Sequence, residues 1–207
     1  MPRGFDTTEN CAPKAADIEA ASYDFVARYL SQSPWKTVTP AEATALSDAK
    51  LCLVLVYEDG PTKPAYFSRD RGQADATRAA QQAEALGAPA GTAIYYAVDY
   101  DASRADIAGV IAEYFNGIAD TNTARSAAGA TDYGVGVYGS GATCIALTAA
   151  ALAKYGWLAQ SRGWAGFGTY TDWTIKQAMA ATVLGIAVDP DEAVDDYGAM
   201  QPSNPTG

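Results

Sequence analysis

Apolar runs of strand length alternate with helix-length amphipathic stretches along almost the whole chain. RGFDTT, DFVARYL, LCLVLVYE, TAIYYAVDYD, DYGVGVYG, WLAQSRGW, DWTIKQ and LGIAVDPDEA read as strands. Between them KAADIEAASY, TPAEATALSDA, QADATRAAQQAEALG, SRADIAGVIAEYFNGIAD and SGATCIALTAAALAKYG read as helices. The punctuation agrees with that reading. Thr39 as N-cap, Pro40 at the first helical position and Glu42 three residues on predict a capping box, and the third helix stops at Gly87. Eight strands with intervening helices predict an α/β fold, a single-domain (β/α)8 TIM-type barrel over residues 1–200 with shortened or missing later helices. An open doubly wound sheet is the alternative. QPSNPTG, residues 201–207, reads as a polar C-terminal tail that frays.

Active sites of such barrels lie at the C-terminal ends of the strands. Four of the predicted strands end in carboxylates there: Asp6, Glu58, Asp99 with Asp101, and Asp189. Side chains alternate faces along a strand, so Val54, Val56 and Glu58 share one side, as do Tyr95, Ala97 and Asp99. Asp101 joins that side where the strand persists so far. The plainer reading is that an Asp after a strand caps a helix or makes an Asx-turn, and Asp101, Asp6 and Asp191 all have that option.

Crowded carboxylates repel, so at least one is expected to stay protonated near neutrality. That state suits a general acid at a glycosidic oxygen, with a second, ionised carboxylate as base, nucleophile or charge stabiliser. Tyr138, Gln160, Trp164 and Gln177 lie at or just beyond later strand ends and are candidates to bind the substrate, as sugar platforms and amide donors.

Composition narrows the chemistry. The 207 residues include no histidine, which removes Ser-His-Asp and Cys-His catalysis and the usual zinc hydrolase sites. A net charge of −10 argues against nucleic acid and against docking on anionic membrane, and no apolar stretch is long enough to cross a bilayer. Cys11, Cys52 and Cys144 are odd in number and widely spaced, so they read as buried thiols. GVGVYG matches G-x-G-x-x-G, yet its glycines fall inside a strand, where they leave room in a barrel interior; neither a cofactor nor a metal is expected. The N-terminus lacks a hydrophobic h-region, so no signal peptide is expected in this chain; a mature exported domain would look the same.

The motifs GFDT, FVARYL, VTPAEA, LVLVYE, YYAVDYD, YGVGVYGSG, WLAQSRGW, IKQ and VDPDEA, in this order over about residues 3–198, resemble the glycoside-hydrolase-like domain family catalogued as DUF1906. That family is common in actinobacteria and includes exported cell-envelope proteins. More distantly, it resembles the family 25 lysozymes, which have a shortened (β/α)8-type barrel. The resemblance implies a hydrolase of a β-linked, N-acetylated glycan such as peptidoglycan, a carbohydrate partner, and an extracellular or cell-envelope location, with a cytoplasmic one as the alternative; the chain is expected to be a monomer. It matches Asp6, Asp99 and Asp189 to three lysozyme aspartates, and sets Asp101 where the lysozymes carry a catalytic Glu. Asp is one methylene shorter, which leaves Asp101 and Glu58 as rival acids. The alternative is a catalytically silent carbohydrate-binding module on the same barrel.

Overall fold

The computed structural model describes residues 1–202; the end of the predicted tail, 203–207, lies outside the described residues. Nine strands form: β1 (Arg3–Asp6), β2 (Phe25–Leu30), β3 (Cys52–Tyr57), β4 (Ala93–Ala97), β5 (Gly134–Gly139), β6 (Tyr155–Leu158), β7 (Ile175–Gln177), β8 (Ala181–Val183) and β9 (Ile186–Ala193). β1 to β7 run parallel in sequence order, and β9 joins β7 to β1, closing an eight-strand barrel with β8 hairpinned onto the closing strand. The helices are α1 (Ala15–Ala20), α2 (Pro40–Asp48), α3 (Arg69–Ala85), α4 (Arg104–Asp106), α5 (Ala112–Ala127) and α6 (Gly141–Ala149). A π-helical turn over Ile107–Ile111 joins α4 to α5. Among the described residues no α-helix follows β6 or β7, as the thin spacing of that region implies.

The closing strand departs from the expected pattern, because β9 runs antiparallel to both neighbours. A parallel return needs a crossover of roughly a dozen residues or more. Only 178–185 separate β7 from β9, and they are spent on β8 and a two-residue turn at Leu184 and Gly185, both with positive φ. That turn suits a tight hairpin. β9 therefore enters at the mouth and descends. Asp189 reaches the mouth because it pairs with Asp6, whereas the sequence placed it there as the end of an upward strand.

Alternation builds two cores. Phe5, Val26, Leu53, Leu55 and Tyr96 face outward into the layer beneath the helices. Phe25, Val54, Val56, Tyr95, Trp157 and Ile175 fill the barrel interior. Gly136 makes room there: a Cβ would sit 2.4 Å from the Tyr95 ring, so this glycine belongs to packing and not to a phosphate loop. Below, Tyr197 and Gly198 plug the floor, with the Tyr95 hydroxyl donating to Tyr197 O at 2.9 Å.

The capping box at α2 forms by half. Thr39 accepts the Glu42 N–H, but the Glu42 side chain turns inward to the Arg28 guanidinium at 2.6 Å. A buried cation outcompetes a backbone donor for that carboxylate.

Candidate functional site

Three strand ends supply the acidic side chains, each by the alternation that fills the interior below it. Asp6 stands above Gly4 on β1, Glu58 one residue past β3 in phase with Val56, and Asp99 two residues past β4 in phase with Ala97. With Asp189 of β9 they line a cavity of about 310 Å3 in the barrel mouth, walled also by Tyr29, Tyr138, Trp157 and Gln160. That volume is at the lower end of ligand pockets, roughly 300–1,000 Å3.

Asp6 is the best-held member. Tyr29 Oη donates to its Oδ1 at 2.8 Å, and Gln177 Nε2 to its Oδ2 at 2.6 Å. The Gln177 amide cannot be turned round, because its Oε1 accepts from the Tyr138 hydroxyl at 3.0 Å and from the Gln160 backbone N–H at 3.2 Å. The Asp6 carboxyl is raised to about 7: burial pushes it up most, Gln177 and Tyr29 pull it down, and the charges of Asp189 and Glu58 add to the rise.

One turn of the pleat deeper, Asp191 is 4% exposed and accepts the Trp157 indole N–H at 3.0 Å, while its Oδ2 has no hydrogen-bond partner among the described residues. Burial, then the charge of Asp6, drives Asp191 well above the usual carboxylate range. Asp189 is raised by burial and eased by Gln160, whose Nε2 donates to it at 3.3 Å. Asp99 is raised by burial and then by Glu58, with Lys36 opposing. Lys36 brings in opposite charge at 2.8 Å from Glu58 Oε1, and it lies 4.8 Å from the Tyr29 ring centre. Tyr138 and Trp157 meet edge to face, 5.4 Å apart, as an aromatic floor.

The structure thus brings together Asp6, Glu58, Asp99, Asp189, Tyr138, Gln160 and Gln177. It leaves two expected members outside this pocket. β4 ends at Ala97, and the Asp99 N–H is taken by Pro61 O at 3.0 Å, so the strand alternation does not carry on to Asp101. Asp101 is exposed, accepts the Ala165 N–H at 2.8 Å, and borders a separate groove beside α6. It is no N-cap either, since Ser103 caps α4 with a full capping box to Asp106. Trp164 is half-buried in the β6–β7 connection, and the indole in the pocket is that of Trp157.

Sequence reasoning missed Tyr29, Lys36, Trp157, Ser161 and Asp191 at this site. Phe25, Ala27 and Tyr29 already alternate in FVARYL, so Tyr29 was recoverable; Trp157 was hidden because β6 starts at Tyr155, inside the segment read as helix. Nothing local marks Lys36. Among the described residues no group of three or more cysteine and acidic side chains has a metal-holding arrangement. No helix among them is long and apolar enough to cross a membrane.

A family model described as an Rv2525c-like, glycoside hydrolase-like domain matches residues 16–199. The Bacillus subtilis protein YbfG is 34% identical over 184 residues, which cover 83% of this chain and 25% of that protein. The chain therefore spans about a quarter of that curated relative. The crystal structure of the Tat-secreted protein Rv2525c of Mycobacterium tuberculosis, in complex with L-tartrate, superposes with a TM-score of 0.80 at 22% identity, covering 96% of this chain and 98% of that one. The modular autolysin LytC of Streptococcus pneumoniae, in complex with a synthetic peptidoglycan ligand, gives 0.61 at 15% identity over 92% of this chain and 46% of its own. At these identities the two structures speak for the fold.

Proposed function

We propose, from the premise that the chain belongs to the Rv2525c-like, glycoside hydrolase-like domain family, that its barrel mouth hydrolyses a β-linked, N-acetylated glycan such as peptidoglycan. The observation that carries this reading is Asp99: it faces the pocket, its pKa is raised, and among the described residues no hydrogen bond occupies its carboxyl group. A carboxylic acid of that kind is free to protonate a glycosidic oxygen. Glu58, ion-paired to Lys36, is the negative charge that faces the developing oxocarbenium centre. The Tyr29–Asp6–Gln177–Tyr138 chain is suited to hold the 2-acetamido group.

In the step proposed, the acetamido oxygen attacks the anomeric carbon while the bond to the leaving oxygen breaks and takes the Asp99 proton. Water then opens the cyclic intermediate and returns a proton to Asp99. Such substrate assistance is one of the known exceptions to the two-carboxylate rule. An extracellular or cell-envelope location fits this reading, given a Tat-secreted protein and an autolysin among proteins of the same fold.

The test is release of new reducing ends from peptidoglycan and from chitooligosaccharides. Asp99→Asn should lower the rate at least about 100-fold, the usual contribution of a positioned acid, with the fold no less stable to heat than the parent. No release by the intact protein, or full release by Asp99→Asn, counts against it. A second reading has one observation in its favour: Asp101, at the lysozyme-like acid position, is turned away from the pocket. It makes the domain a glycan-binding module, and calorimetric titration with saturable heat but no new reducing ends would select it.

A further inference from the structure

The barrel is bare where α-helices no longer follow β6 and β7, and a groove of about 660 Å3 runs down the outer wall of β7, β9 and β1. Gln160 and Gln177 line both this groove and the acidic mouth pocket, so the two adjoin at these residues. Arg162 stands at the upper end, and lower down Lys176 on the outward face of β7 and Arg3 on β1 stand level with each other on either side of β9. None of the three is in an ion pair among the described residues. Glu192 lies in register opposite both Lys176 and Arg3, Asp191 also lines the groove, and Asp24 accepts the Arg3 backbone N–H at 2.8 Å, so three cations outnumber the two carboxylates lining the groove on a chain whose net charge is −10.

We infer that this groove is a subsite for an extended, carboxylate-bearing peptide arm on the glycan held in the mouth; the inference rests on the glycan reading above. Geometry sets the length. From the level of Asp6 to that of Arg3 is about 10 Å at roughly 3.3 Å per strand residue, which an extended arm of about three residues spans. Chemistry sets the sign, since the acidic pocket repels carboxylates and the outer wall draws them. A neutral sugar ring and its acidic substituent are thus sorted to opposite sides of the Gln160–Gln177 rim. Phe167 and the exposed Met179 give the stems of such an arm an apolar surface.

Titration calorimetry on the intact chain with an N-acetylated disaccharide, with and without an attached acidic tripeptide, tests this directly. The peptide-bearing ligand should bind about tenfold tighter, the sum of two rim ion pairs near 0.7 kcal/mol each. The gain should shrink as salt rises, and the double variant Arg162→Gln, Lys176→Gln should abolish it without altering binding of the bare disaccharide. Arg78→Gln, an exposed charge on α3, controls for net charge and should leave the gain intact. Equal binding of the two ligands, or a gain that survives the double variant, overturns the subsite alone. Binding of neither ligand overturns the glycan reading and the subsite with it.

Discussion

Two buried carboxylates, Glu42 on α2 and Asp6 at the end of β1, live in opposite electrostatic settings. Glu42 is 1% exposed and Asp6 3%. Glu42 receives both prongs of the Arg28 guanidinium, at 2.6 and 3.1 Å, and the Cys11 N–H at 2.8 Å, while Arg28 Nη1 donates to Thr7 O and Lys36 O. Asp6 receives only neutral donors, and its charged neighbours are other carboxylates. The first arrangement cancels a charge and closes it off. The second leaves a carboxyl group poised to take or give a proton beside a cavity. Asp75 shows that burial among hydroxyl donors does not by itself make a site: Tyr66 and Tyr114 donate to it and Arg71 pairs with it at 3.8 Å, yet it is enclosed between the barrel and the helices. A functional carboxyl here needs both incomplete compensation and an opening.

Breaking the compensated pair should have the largest effect. Glu42→Gln leaves the Arg28 charge buried without its partner and is expected to cost about 3–5 kcal/mol; a loss under about 1 kcal/mol in urea unfolding would show that Arg28 finds water.

The opposite sign is expected at Asp6. Its ordinary value is 3.8 and its folded value about 7, so the fold favours the protonated form. The stability this group contributes is therefore full below about pH 4 and is lost as pH rises towards 7. Asp6→Asn cannot ionise: it should match the parent protein at pH 4 and exceed it by about 2–4 kcal/mol at pH 8. A stability difference that does not change with pH would mean that Asp6 is ionised throughout, its charge met by donors.

The smallest effect belongs to Asp101. Its one bond, to the Ala165 N–H, is solvent-exposed. Asp101→Asn should stay within about 0.5 kcal/mol of the parent in stability and within about twofold in glycan turnover or binding. Loss of turnover without loss of stability would bring Asp101 back among the acids.

The reading of YYAVDYD shows how far local pattern reaches. Alternation put Tyr95, Ala97 and Asp99 on one side, and they are there. It says nothing of where a strand stops, and β4 stops when Pro61, from another loop, takes the Asp99 N–H. Likewise TPAEA contains a capping box by every local rule, but Glu42 answers to Arg28, a residue on another element. Lys36 and Asp191 carried no signal of their own, because their importance comes from neighbours brought by other strands.

The period-2 and helical patterns, set by backbone geometry within a few residues, were enough to establish the repeating βα units, the two-sided strands and the acidic strand ends. Closure was decided elsewhere. The antiparallel return of β9 set Asp189 and Asp191 beside Asp6, and the Gln177–Asp6 bond joins residues 171 positions apart. Contacts of that span depend on register, strand direction and burial acting together, and no stretch of sequence encodes them alone.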